Sequence, residues 1–173
     1  MMIFNTITEP DARYQGDVLK LYESYADMVY RLAFVRTRHP ADADDIFQEV
    51  FIRLVKHVHK LKSEEHAKAW LLRCTINCCN SHHQSSWQQK TVALAEHEGH
   101  DHIDFQKIAL LDALQSLTPE HQDVLHLFYY EGYSNKEIAT LLGIKENTVK
   151  SRLRRARYEL RDVWEEEDGD AVE

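Results

Sequence analysis

The segment from Ser134 to Arg161, SNKEIATLLGIKENTVKSRLRRARYELR, restricts the possible folds of this chain more than any other. It reads as two helices joined by a tight turn. Ser134 is a favoured helix N-cap, and Glu137 three positions later completes a capping box ahead of an apolar run. Ile138, Leu141 and Leu142 repeat at i, i+3 and i+4, giving the first helix one apolar face. Gly143 stands where a helix C-cap needs a positive φ. Ile144 is placed to fill the corner. Val149, Leu153, Ala156 and Leu160 then mark the buried stripe of the second helix.

The outer face of that second helix carries Asn147, Thr148, Lys150, Ser151, Arg152, Arg154, Arg155 and Arg157. Between Lys145 and Arg157 there are six bases against one acid, in a chain whose net charge is −8. A short capped helix, a glycine turn and a second helix with a cationic face form the helix-turn-helix pattern. An acidic protein that gathers its cations on one helix face has an electrostatic footprint for phosphate. A basic face alone is often only a solvated one. Here it coincides with the cap, the turn and the stripe, and DNA reading is the expected role.

The longer run TPEHQDVLHLFYYEGYSNKEIATLLGIKENTVKSRLRRARYELR resembles region 4 of bacterial sigma factors of the extracytoplasmic-function (ECF) group, and TVKSRLRRAR is similar to that group's recognition helix. The resemblance implies a helix that enters the major groove at the minus-35 promoter element. Lys150, Ser151, Arg154 and Arg155 are then expected at bases or nearby phosphates, and Thr148, Arg152 and Arg157 at the backbone.

The rest of the chain is compatible with a small all-helical protein. It has 173 residues, only five glycines and three prolines, and long stretches of 3.6-residue periodicity. No apolar run reaches the ~20 residues of a spanning helix. MMIFNTITEPDARYQGD lacks the basic flank and apolar core of a signal peptide. Three cysteines, two of them adjacent, do not suggest a disulfide framework, so a reducing, cytoplasmic location is expected.

Residues 1–16 show no clear periodicity and read as a loose or partly ordered lead-in. From Asp17, Val18, Leu21, Tyr22, Tyr25, Met28, Val29 and Leu32 line one helical face up to about Thr37, where His39-Pro40 breaks the helix. A second helix starts near Pro40 with Asp42, Asp44 and Asp45 in its first turn, where the dipole favours acids. Ile46, Phe47, Val50, Phe51, Leu54, Val55 and Val58 form its wide apolar stripe. Ser63 caps a third helix in which Ala67, Trp70, Leu71, Cys74 and Cys78 share a face. Residues 88–104 are polar, acidic and His-rich, and read as a flexible linker. Helical periodicity returns over 105–117, then Thr118-Pro119 opens a helix through Val124, Leu127 and Phe128. The C-terminal unit is expected over 105–164, followed by an acidic tail at 165–173.

The N-terminal unit, residues 17–87, also resembles an ECF sigma factor, in region 2. ADADDIFQEVFIRL is similar to the segment that docks on the β′ clamp helices of RNA polymerase. By that resemblance Asp45, Gln48, Glu49 and Arg53 contact polymerase. A helix with a saturated apolar back has its other face free for a partner. AKAWLLRCTINCCNSHH resembles the segment that opens and reads the minus-10 element, with Trp70, Arg73 and Asn77 at matching positions. Arg73, Asn77 and Asn80 are the expected minus-10 contacts, since a melted strand needs hydrogen-bonding groups around its bases and cations along its backbone. Trp70 lies on the apolar stripe and is expected in the core. Where the family carries several cations after this helix, this chain has His82, His83, Gln84, Trp87, Gln88 and Gln89, with Lys90.

Cys74, Cys78 and His82 recur at i, i+4 and i+8, with Cys79 and His83 beside them, and His97, His100 and His102 cluster in the linker. Positions spread over two turns are too far apart in height to converge on one ion, and an apolar-face cysteine behaves as a small hydrophobe. No metal or cofactor is expected. No phosphate-binding glycine loop, nucleophile motif or HExxH is present, so no catalytic activity is expected either. The expectation is therefore all-α: two small helical bundles on a flexible linker, the C-terminal one containing the helix-turn-helix. The partners the resemblance implies are core RNA polymerase (β′ clamp helices and β flap), promoter DNA and an anti-sigma factor, with no membrane insertion. The rivals are a stand-alone regulator whose N-terminal half senses or dimerises, and a helical adaptor that never touches DNA.

Overall fold

A computed structural model describes residues 12–86, 114 and 116–169, and every described element is helical. The helices are α1 (Ala12–Thr37), α2 (Pro40–His57), α3 (Glu64–Ser86), α4 (Pro119–Leu125), α5 (Asn135–Leu142) and α6 (Glu146–Gly169). A 3-10 turn, Val58–Lys60, follows α2, and a π-helical segment, His126–Tyr130, extends α4. The expected linker, most of the 105–117 helix and residues 1–11 lie outside the described residues.

Helix ends follow from local chemistry. Pro40 forces His39 into an extended conformation (φ −137°, ψ 125°), and α1 stops just before it, with Arg38 at φ 61°. Ser63 Oγ accepts from the His66 N–H at 3.1 Å and caps α3. Thr118 opens α4 with an extended backbone and Pro119 in the first turn, but its hydroxyl makes no cap bond. His121 and Gln122 donate to its carbonyl instead.

The first bundle is α1, α2 and α3, each packed on the other two. Its centre is Val29, Leu32, Val50, Leu54, Leu71 and Leu72, all fully buried. Tyr22, expected on the buried face, stands 43% exposed and caps the core with its ring edge against Phe47 and Phe51, at centroid distances of 5.9 and 4.9 Å. The second bundle packs α4 and α5 on α6 around Val124, Leu127, Ile138, Val149 and Ala156. α6 runs on to Gly169, past the expected end at Trp164; glutamates are good helix formers.

The two bundles touch. α1 meets α4, α3 meets α5, and their buried residues form one connected cluster. Contacts within each bundle are far denser than those between them.

Candidate nucleic-acid interface

The helix-turn-helix is built as the sequence specifies. Ser134 Oγ accepts from the Glu137 N–H at 3.3 Å, and Glu137 accepts from the Ser134 N–H at 2.8 Å, closing the capping box. The Ser134 hydroxyl also donates to Glu137 Oε2 at 2.6 Å, and this bond, with the one from the Ser134 N–H, holds the Glu137 carboxyl below the usual carboxylate range. Gly143 ends α5 at φ 68°, its N–H bonded to the Ala139 carbonyl. α6 then departs with Val149, Leu153 and Ala156 buried.

Lys150, Arg154, Arg155 and Arg157 are exposed on α6, whereas Thr148, Ser151 and Arg152 are half-buried. Lys150 pairs with Glu146 one turn back at 2.7 Å, an exposed contact of small energetic weight. Ser151 Oγ donates to the Thr148 carbonyl. Arg157 is held sideways: its Nε donates to Tyr129 Oη at 2.8 Å, and its guanidinium lies over the Phe128 and Tyr129 rings. Lys150, Ser151 and Arg157 are thus engaged by neighbours, whereas Arg154 and Arg155 make no hydrogen bond or ion pair among the described residues.

On α2, Asp45, Gln48, Glu49 and Arg53 are all exposed on the face opposite Ala43, Ile46, Val50 and Leu54. Arg53 Nε donates to Glu49 Oε1 at 2.7 Å. Ile52, 51% exposed, sits beside them and adds an apolar element that the sequence analysis did not single out.

The expected minus-10 residues share a different surface. Arg73, Asn77 and Asn80 line a cleft of about 380 Å³ between the bundles, opposite Glu120, Asp123, Leu141 to Ile144, and Arg152. Arg73 donates from Nε to the Leu141 carbonyl and from Nη2 to the Thr140 carbonyl, both at 2.7 Å. Asn80 Oδ1 accepts from Arg36 at 2.5 Å. Trp70 is half-buried, packed against the core and stacked on His57.

Arg36 and Asp123 escaped the sequence analysis. They form a buried ion pair between α1 and α4, with 2% and 6% of each residue exposed. Burial pushes the Asp123 carboxyl upward, and the Arg36 guanidinium opposes that push. A signal was present: Arg36 falls at i+7 from Val29 and i+4 from Leu32, a cation on the buried stripe. A second inter-bundle pair joins Lys68 to Glu131 at 2.9 Å. Burial works against ionised Glu131, but His126, with its Nε2 3.4 Å away, and the Lys68 ammonium hold it down to about 2.

Cys74, Cys78 and Cys79 are free and buried. A hydrogen bond from Cys74, with Arg53 nearby, lowers Cys78 to about 7, while burial raises Cys79 to about 12. Among the described residues no group of three or more His, Cys, Asp or Glu side chains is arranged to hold a metal ion. No described helix is long and apolar enough to cross a membrane. The linker histidines lie outside the described residues.

Fold and surface define a helical DNA-reading protein with a partner-facing N-terminal bundle. The comparisons agree. Residues 21–89 match the family model for Sigma-70 region 2, and residues 107–160 match that for Sigma-70, region 4. The ECF RNA polymerase sigma factor SigL of Mycobacterium tuberculosis is 32% identical over 155 residues, spanning 84% of this chain and 88% of that protein. SigE of Mycolicibacterium smegmatis is 33% identical over 159 residues, spanning 83% of this chain and 60% of its own. The fold resembles the sigma factor RpoE of Bartonella quintana, solved with the anti-sigma factor NepR, at a TM-score of 0.69 and 21% identity, covering 86% of this chain and 97% of that one. The chain belongs to the ECF RNA polymerase sigma factors. It is a factor for promoter-specific transcription initiation, with a region 2 module for the minus-10 element and a region 4 module for the minus-35 element.

Proposed function

We propose that the exposed face of α2, through Asp45, Gln48, Glu49 and Arg53, docks on the β′ clamp helices of core RNA polymerase, while the second bundle engages the β flap. α6 enters the major groove at the minus-35 element. Arg154 and Arg155, with Lys150 and Ser151, meet base edges and adjacent phosphates, and Thr148, Arg152 and Arg157 hold the backbone. Arg73, Asn77 and Asn80 take the melted minus-10 strand. The protein acts in the cytoplasm without catalysis of its own. A cognate anti-sigma factor binds it, in line with the similar sigma factor RpoE having been solved in complex with the anti-sigma factor NepR.

The observation that carries this reading is the pairing of two exposed surfaces of different chemistry on separate bundles: a cationic helix on the second, and a mixed acid–amide–arginine array on the first. A net charge of −8 makes free DNA a poor target, so recognition depends on polymerase holding both modules on one promoter. The test is co-elution with core polymerase followed by transcription in vitro. Arg155→Ala should weaken initiation at minus-35-dependent promoters and leave polymerase binding unchanged. Tight dimeric operator binding without polymerase would defeat the reading.

A further inference from the structure

Cys74 and Cys78 have no part in the contacts proposed above, yet they form a built pair. They stand one turn apart on α3, with 7% and 5% of each residue exposed. The Cys74 thiol donates to the Cys78 sulfur, and Arg53 of α2 lies beside both. The Arg53 side chain is 45% exposed and bonded to Glu49 at 2.7 Å. Two sulfurs in mutual contact thus sit in the α2/α3 seam, just under the surface, next to a cation that reaches solvent. Cys79 differs: it is fully buried, and its charged neighbours are Arg36 and Asp123.

The spacing decides what such a pair can do. Residues at i and i+4 of a helix have Cβ atoms ~5–6 Å apart, whereas a disulfide needs about 3.8 Å. An intact α3 therefore does not allow a Cys74–Cys78 disulfide. A bridging ion fits better, because two metal–sulfur bonds of about 2.3 Å span up to ~4.6 Å. Zinc asks for four ligands, and no third is at hand. His82, one turn further on, is turned to Asp42 at 3.5 Å, and among the described residues no group of three or more ligating side chains is arranged for a metal. Sulfur ligands alone select soft ions such as copper(I). A proton held between two sulfurs marks the place of a two-coordinate cation. Two thiolates around a monovalent ion carry a net charge of −1, and Arg53 balances it.

We propose that Cys74 and Cys78 form a two-coordinate site for a monovalent soft cation, copper(I) or silver(I), with Arg53 as its counter-ion. Two metal–sulfur bonds form, the thiol protons leave to solvent, and no electron moves. The site uses a pair within the Cys74, Cys78 and His82 series, without the histidine. Occupancy also holds Arg53 over the sulfurs and takes it from polymerase. That consequence rests on the reading of Arg53 as a docking residue.

The test titrates the full-length protein with silver(I), and with copper(I) kept reduced under anaerobic conditions against a competing chelator. One tight equivalent should bind, and X-ray absorption should show a two-sulfur shell without nitrogen. Cys74→Ser and Cys78→Ser should each lose this equivalent, and Cys79→Ser should keep it. Serine at a buried position can loosen the core, so the wild-type absorption spectrum decides the ligand set without any variant. Arg53→Ala should weaken binding about 2–5-fold, the worth of one partly exposed charge pair, and Arg53→Lys should restore most of it. Wild-type protein loaded with silver(I) and freed of excess should bind core polymerase less tightly than the metal-free protein. Arg53→Ala, loaded in the same way, should show no such difference, which also controls for silver passing to polymerase.

A shell containing nitrogen, a tight equivalent that survives Cys78→Ser, or displacement of silver(I) by equimolar zinc would overturn the site. Unchanged affinity in Arg53→Ala would overturn the counter-ion. Equal polymerase binding by loaded and metal-free wild type, or an equal fall in Arg53→Ala, would overturn the link to docking. A failure of the sigma-factor reading would appear elsewhere, as metal-free wild type that does not bind core polymerase, because the cation is measured without polymerase.

Discussion

Replacing Gly143 by alanine tests whether the corner of the helix-turn-helix is held by backbone geometry or by packing. Gly143 sits at φ 68°, and a Cβ built there meets nothing within 4 Å. The cost is therefore conformational alone. Placing an L-residue in the left-handed region costs roughly 1–2 kcal/mol. Against this, alanine narrows the unfolded ensemble and returns about 0.4–1 kcal/mol. The net loss is about 1 kcal/mol, or ~2–4 °C in Tm for a chain of this size. Gly143→Asn should lose less, because asparagine tolerates this conformation. Gly132, at φ 72° with equally open surroundings, provides a matched control, and Gly132→Ala should cost about the same. The assay is chemical denaturation, with promoter-specific transcription measured well below Tm. Transcription should be retained, because the bond from residue 143 to the Ala139 carbonyl survives and keeps the departure angle of α6. A loss well above 3 kcal/mol, or transcription abolished at full helicity, would refute the argument from open space.

Leu127 is fully buried at the junction of the π-helical segment with α5 and α6, and Leu127→Ala should lower stability by ~2–5 kcal/mol in denaturant titrations. Glu131 is held down to about 2 in the folded chain, against ~4.3 unfolded, so its stabilisation is present above the unfolded value and lost as pH falls toward the folded one. The stability gap between wild type and Glu131→Gln should thus be about 1–3 kcal/mol at neutral pH, shrink between roughly pH 4 and 2, and a gap that grew on acidification would reverse the sign of the account. Among the three buried thiols, Cys78 has its pKa lowered to about 7, so a small alkylating agent at neutral pH should label it before Cys79; peptide mapping that found Cys79 modified first would contradict the assigned hydrogen bond.

The sequence carried the local structure well where chemistry is local. The Ser134–Glu137 box, the positive φ at Gly143, the break before Pro40 and the stripes of α2 and α6 depend on neighbours within a few residues. The π-helical segment was not legible, because HLFYY has ordinary helical composition and nothing in it marks the widened turn, which closes on the bond from the Glu131 N–H to the His126 carbonyl. The ion pair of Arg36 with Asp123 was hidden for a different reason. The position of Arg36 on the buried stripe of α1 was a local signal, but its partner lies 87 positions away and nothing local points to Asp123. The same applies to Arg73, whose residue type suggested a strand contact while its present acceptors are backbone carbonyls, which no sequence pattern marks. Exposure of Asp45, Gln48, Glu49 and Arg53 was readable from periodicity, whereas the bracing of Arg157 by Tyr129 was not.

The most direct measurement is to sequence the 5′ ends of transcripts made in vitro by core RNA polymerase loaded with this protein on genomic DNA. Two bundles reading one promoter predict a small set of start sites sharing two short motifs at fixed spacing, with Arg155→Ala degrading the upstream match and Asn77→Ala the downstream one. Start sites indistinguishable from those of core polymerase alone, or a single shared motif unaffected by either substitution, would contradict the account.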